Sequence, residues 1–170
     1  MNEQLKELNE ADVETAESMF RDCCGSNSWA KLMTESRPFV SGEELLLKAA
    51  AIWQGLDTVD WLEAFASHPK IGERKAAADQ QKRSAEWSKG EQSAAADAAG
   101  KTRDELAQAN RLYEQKFGFI FIVCATGKTA EEMLAICRAR LANSIETELK
   151  LAAIEQQKIT EIRLGKLLEK

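Results

Sequence analysis

Two prolines, Pro38 and Pro69, are all that the 170 residues contain. Proline lacks the backbone N–H and clashes with the turn before it, so it breaks helices more strongly than any other residue. Glycine, the second breaker, occurs nine times. The stretches between are rich in Ala, Leu, Glu, Lys and Gln, which carry the best helix propensities. The expected architecture is all-α. It is one domain over residues 1–170, an irregular, non-coiled-coil bundle of about eight helices with one short extended segment.

Cap residues place the helices. Asn9 is expected to cap a helix running to about Cys23, with Val13, Ala16 and Phe20 on one face. Gly25-Ser26-Asn27 reads as a turn, and Ser28 as the cap of a short helix ending before Arg37-Pro38. Ser41-Gly42-Glu43-Glu44 has the form of a capping box, with Leu45, Leu46, Ala49, Ile52 and Trp53 behind it. Thr58 is expected to cap a helix whose apolar side is Trp61, Leu62 and Phe65. That helix must end near His68, because Pro69 disfavours helical geometry at the residue before it.

Residues 74–86 are polar and read as a surface helix. Ser88-Lys89-Gly90-Glu91 has the form of a second capping box, opening a helix to about Ala99. Thr102 starts a long helix through Tyr113, stopped by Gly118. The apolar run Phe119-Ile120-Phe121-Ile122-Val123-Cys124 is of strand type, but too short to tell strand from buried helix by periodicity. Thr129-Ala130-Glu131-Glu132 is a third capping box. Two helices follow, with a break near Asn143. Leu134, Cys137 and Leu141 are expected to face in on the first, and Ile145, Leu149, Ala152, Ile159, Ile162 and Leu167 on the second.

Composition narrows the function classes. A net charge of −5 argues against broad nucleic-acid binding, which needs a basic footprint. No stretch approaches the roughly 20 consecutive apolar residues of a membrane span. Met1-Asn2-Glu3-Gln4 lacks the basic-then-apolar order of a signal peptide, and Leu168-Glu169-Lys170 is not a peroxisomal address, so a cytoplasmic location is expected. Cys23, Cys24, Cys124 and Cys137 show no C-x-x-C spacing and are expected to be reduced, mostly buried thiols. With a single histidine, little is left for a transition-metal site, and none is expected.

Three segments invite a chemical reading. Gly127-Lys128-Thr129 follows an apolar run and precedes a helix, as a phosphate-binding loop would. The full pattern needs a glycine at position 122, which is Ile122, so a turn with a helix cap is the better reading. His68 is the only histidine, and a lone histidine is more often structural than catalytic. Its place at a helix end, followed by Pro69 and near Gly72, is one where a side chain can face a cleft, and imidazole exchanges protons near neutral pH. Ser88-Lys89-Gly90-Glu91-Gln92 is explained by the capping box alone. A helix N-terminus there would also suit an anionic substrate.

The segments say more together. His68-Pro69-Lys70-Ile71-Gly72-Glu73 comes first, then Ser84-Ala85-Glu86-Trp87-Ser88-x-x-Glu91-Gln92. Asn110-x-x-Tyr113-x-x-Lys116-Phe117-Gly118-Phe119-x-Phe121-Ile122-Val123 follows. This ordered set resembles the OHCU decarboxylase family, OHCU being 2-oxo-4-hydroxy-4-carboxy-5-ureidoimidazoline. Arg37-Pro38-Phe39 early in the chain, and Arg140-Leu141-x-Asn143 and Ile162-Arg163-Leu164 late, also look like the family. Each motif is weak by itself, but the order covers nearly the whole chain.

The resemblance implies an all-α, cofactor-free carboxy-lyase, usually a homodimer, acting on a small ureide. It would convert OHCU to (S)-allantoin and carbon dioxide at the end of urate breakdown. By resemblance the catalytic pair is His68 and Glu91. Substrate-binding positions carry over to Pro69, to Ser88, Lys89, Gly90, Glu91 and Gln92, to Phe119, Ile120, Phe121, Ile122 and Val123, and to Arg163. The competing class is a non-catalytic helical interaction module. It accounts for the caps and the acidic surface but not for the ordered motifs.

Overall fold

The computed structural model describes residues 2–71 and 82–169. Among them are ten helices and no strand: α1 (Glu3–Glu10), α2 (Val13–Cys24), α3 (Asn27–Glu35), α4 (Gly42–Gln54), α5 (Thr58–Ala66), α6 (Lys82–Glu91), α7 (Ser93–Asp97), α8 (Gly100–Phe117), α9 (Ala130–Arg140) and α10 (Ile145–Leu168). None of these helices is long and apolar enough to cross a membrane. The chain divides into two compact units. The first is Met1–Ala64 with Gln157–Lys170, and the second is Phe65–Gln156.

In the first unit, the expected helix from Asn9 to Cys23 is interrupted. Asp12 is the true cap of α2, accepting from the Thr15 N–H at 2.8 Å, so Val13 falls on the first turn and is 62% exposed. Asn9 is spent elsewhere: its amide donates to the Phe39 carbonyl and accepts from the Phe39 N–H. Residues before the break form α1, which the cap pattern did not anticipate. Asn2 caps that helix and also donates to the Leu168 carbonyl.

The first unit's core gathers Phe20 against Trp29 and Phe39, both edge-on. Gly25 closes α2 with φ of 88°, a conformation that suits glycine. Ser26, not Ser28, caps α3 through the Trp29 N–H. Ser41 caps α4 as expected, but Glu44 reaches past it to the Val40 N–H. Thr58 is the first residue of α5 rather than its cap. Leu62 on that helix is exposed.

In the second unit the expected polar helix over 74–86 lies outside the described residues as far as 81, and 82–86 open α6. The second capping box does not exist. Ser88 is an interior residue of α6, and α7 begins only after Gln92. The physical reason is a buried stripe: Ser84 and Ser88, four residues apart, both face inward, and continuing the helix keeps them together. The long helix α8 starts at Gly100, two residues before Thr102, and ends at Gly118 with φ of 78°.

Residues 119–125 after α8 are neither strand nor helix, though buried apart from half-buried Ile120. Thr129 caps α9 with a complete capping box. The expected break near Asn143 separates α9 from α10. Ile145 is exposed instead of facing in, because the inward stripe of α10 runs through Glu148, Ala152, Gln156, Thr160 and Leu164. All four cysteines are free and buried.

Candidate active site

His68 sits two residues beyond α5. Its N–H still bonds the Phe65 carbonyl at 3.2 Å, so the helix hydrogen-bonding runs out on the histidine, just before Pro69. The ring is buried, with 8% of the residue exposed. Its Nε2 donates to the side-chain carbonyl Oε1 of Gln156 at 2.7 Å, and Gln156 is fully buried on α10. A carbonyl oxygen only accepts, so the bond puts the neutral ring's proton on Nε2 and makes Nδ1 its basic nitrogen.

The chain after the histidine is fixed twice more. Gln92 donates through Nε2 to the Pro69 carbonyl at 3.3 Å, and Asn110 on α8 donates to the Ile71 carbonyl at 2.7 Å. Lys70 pairs with Glu114 of α8 at 2.7 Å. Gln92 between α6 and α7, together with α8 and α10, therefore holds the His68–Ile71 segment.

Ser88, Lys89, Gly90 and Glu91 are the last turn of α6, and Gln92 follows it. Ser88 is buried, Glu91 and Gln92 are half-buried, and Lys89 and Gly90 are exposed. The N–H groups here belong to a continuing helix, so the expected anion-binding helix start is absent. What this segment offers a ligand is side chains. Gln92 is the residue before α7 but makes no side-chain cap there, its amide being directed to Pro69.

Phe119 to Val123 has no sheet partner, and side chains take the place of one. Arg140 on α9 donates through Nη1 to the Ile122 carbonyl at 2.7 Å. Glu155 on α10 accepts from the Cys124 N–H at 2.7 Å, and Lys128 donates to the Cys124 carbonyl at 2.9 Å. That last bond folds Lys128 back on its own loop and confirms the turn reading of Gly127-Lys128-Thr129. Phe119 packs on Phe65 with centroids 5.5 Å apart, which ties this segment to the end of α5. Tyr113 lies against Phe117, Phe119 and Phe121.

Burial raises the Cys124 thiol above its ordinary value. The Thr126 N–H and Lys128 oppose this, while the carboxylates of Glu155 and Glu91 add to it. Glu91 thus lies within electrostatic reach of the end of the Phe119–Val123 segment. Beneath that segment, Glu148 on α10 accepts from Arg140, Asn143 and Tyr113. Burial pushes the Glu148 carboxyl up, but these three bonds outweigh it and the net shift is downward. Burial and the bond to Glu148 push the Tyr113 hydroxyl well up.

The structure therefore connects His68 and Pro69 to Gln92, and sets Glu91 by the chain that follows Val123. Arg163 belongs to the first unit, where it is 1% exposed and donates to the Asp22 carbonyl at 3.3 Å. Sequence reasoning missed Gln156, Glu155 and the Arg140–Glu148 pair as site-building groups. The usable signal was Glu148 and Gln156 falling on either side of inward-facing Ala152, four residues away in each direction: polar side chains on the apolar stripe of a helix.

Among known families, the profile described as OHCU decarboxylase matches residues 9–165. The chain is 43% identical over 160 residues to the uric acid degradation bifunctional protein TTL of Arabidopsis thaliana, a match covering 91% of this chain and 48% of that protein. It is 27% identical over 164 residues to the 2-oxo-4-hydroxy-4-carboxy-5-ureidoimidazoline decarboxylase of Haloferax volcanii, covering 95% of this chain and 94% of that one. Among solved structures it is similar to a crystal structure of OHCU decarboxylase in the presence of (S)-allantoin. The TM-score is 0.78 and the identity 40%, with 94% of this chain and all of that chain covered. The chain spans about half, or less, of the length of the longer, bifunctional relatives it matches.

Proposed function

The chain belongs to the OHCU decarboxylase family, and from that premise we propose that it converts OHCU to (S)-allantoin and carbon dioxide. The observation that carries this is the bond from Gln92 to the Pro69 carbonyl. It joins the His-Pro segment and the Ser-x-x-Glu-Gln segment, which are 23 residues apart in the chain. The solved relative in the presence of (S)-allantoin, at 40% identity, supports the same product. The family match runs across both compact units, which supports reading residues 1–170 as one domain.

The chemistry is as follows. The leaving carboxylate is on the carbon that also bears the hydroxyl, next to a ring C=N bond. When the C–C bond breaks, carbon dioxide leaves and the electron pair moves into the C=N bond, whose nitrogen takes a proton. The resulting enol loses its hydroxyl proton, and the carbon carrying the ureido group gains one. The substrate is its own electron sink, so this route calls on no cofactor.

His68, with its proton held on Nε2, presents Nδ1 as the base that takes the hydroxyl proton. Glu91 holds the ureido group or assists the proton transfer. Acid–base help of this kind is worth about 10²–10⁴ in rate. Pro69, Ser88, Gln92 and the Phe119–Val123 segment carry the substrate-binding roles that the resemblance implies. Proton delivery to one face gives a single enantiomer. The resemblance further supports a homodimer working in the cytoplasm.

The direct test generates OHCU in situ from urate, adds the protein, and follows both the decay of OHCU and the optical rotation of the product. Faster decay with accumulation of (S)-allantoin is expected. An unchanged decay giving racemic product would overturn the assignment.

A further inference from the structure

Gln156 is a fully buried amide whose Oε1 receives the His68 Nε2 proton at 2.7 Å. It is carried by α10, the helix that also brings Glu148 to Arg140 and Glu155 to the Cys124 N–H. The backbone beneath His68 is set independently, through its own N–H to Phe65 and through the ties on Pro69 and Ile71. The backbone path and the ring's tautomer are thus set by different groups. Resting on the decarboxylase function above, we infer that Gln156 is a positioning residue that keeps His68 neutral with its hydrogen on Nε2 and its lone pair on Nδ1.

An amide suits this task better than the carboxylate found in many histidine-orienting pairs. A carboxylate on Nε2 would stabilise the protonated ring, and a protonated ring is unable to accept the substrate's hydroxyl proton. The amide fixes the same tautomer without adding charge to a buried place. The ionisable groups on the surrounding elements have partners of their own. Lys70 is paired with Glu114, Glu155 with the Cys124 N–H, and Arg140 with Glu148. Among the described residues, the Glu91 carboxylate also lies in this part of the unit, within reach of Cys124.

One histidine in the chain makes the test direct. With ¹⁵N-labelled histidine, every imidazole nitrogen signal belongs to His68. The native protein is expected to show an N–H type Nε2 and a lone-pair type Nδ1 at neutral pH. Gln156→Met, of similar length but without an acceptor, is expected to bring the two signals toward a tautomer average. Its kcat should fall by about 10-fold or more, with KM changed by less than about threefold. Gln156→Glu, which keeps the acceptor and adds charge, is expected to retain the Nε2–H tautomer. The acid limb of its kcat/KM profile should move up by about one pH unit or more, with activity recovered on the alkaline side.

A native signal pattern with the proton on Nδ1 overturns the inference. So does a folded Gln156→Met protein with native kcat and an unchanged pH profile. The tautomer measurement needs no substrate. A protein that shows the Nε2–H pattern but leaves OHCU decay unchanged would therefore condemn the assigned reaction and not the tautomer.

Discussion

Arg140 and Glu148 form a buried ion pair across the turn between α9 and α10, with Nη2 2.8 Å from Oε2 and Nε donating to the same oxygen at 2.8 Å. The carboxylate's second oxygen accepts from Asn143 at 2.7 Å. The same guanidinium reaches the Ile122 carbonyl and lies 4.9 Å from the Phe121 ring centre. One cation therefore joins two helices to the segment expected to bind substrate.

Removing that cation strands a carboxylate in the interior. Arg140→Met is expected to cost about 3–5 kcal/mol. For a chain of this size the loss lowers Tm on the order of 10 °C. Thermal melting followed by circular dichroism measures it. A fall below about 3 °C would mean that the pair is replaceable by packing.

The same pair sets an acid limit. The Glu148 carboxyl lies below its usual value of 4.5 when folded, through the bonds from Arg140, Asn143 and Tyr113, which outweigh its burial. A carboxylate depressed in the folded state contributes stability in full above its unfolded value. That contribution drains away as pH falls through the folded value. Native protein should lose stability progressively below about pH 4.5, and Glu148→Gln, though weaker at pH 7, should show a shallower slope there. Urea melts across pH 3 to 7 decide the matter, and parallel slopes would count against it.

His68→Asn removes the basic ring nitrogen while leaving a polar side chain. Rate enhancement is expected to fall by about 10²–10⁴, with helix content unchanged by circular dichroism. A variant that turns over OHCU at the native rate would remove His68 from the reaction.

Glu91→Gln tests a distinction that the fold has sharpened. Glu91 ends α6 instead of opening a helix, so it is not the third-position partner of a Ser88 cap. The substitution keeps the side chain's size, so helix content by circular dichroism is expected to be unchanged. If Glu91 takes part in catalysis, kcat should still drop by about 10-fold or more. A native rate would leave the residue only a place on the helix.

Where local chemistry decides the outcome, the sequence was legible. Thr129 caps α9 with both halves of its box, Gly118 ends α8, and Pro69 stops α5 close to His68. It misled where a longer-range contact outbid a local pattern. Ser88 and Glu91 have the spacing of a cap, but burial of Ser84 and Ser88 on one face carries α6 straight through them. Asn9 looks like a cap and is used by Phe39, 30 residues away. At the site, His68 could be singled out because it is unique, and Glu91 through its motif. Gln156 could not, since only the packing of α10 makes an ordinary glutamine its partner.

The run from Phe119 to Cys124 has one further consequence. Its backbone accepts from Arg140 at Ile122 and donates to Glu155 from Cys124, groups on two different helices rather than a neighbouring strand. A strand in a sheet shares its register with every other strand, so shifting one residue disturbs the whole layer. A segment hung from side chains carries no such obligation. Its geometry can be retuned by exchanging a single tether, one bond at a time, while the surrounding helices keep their places.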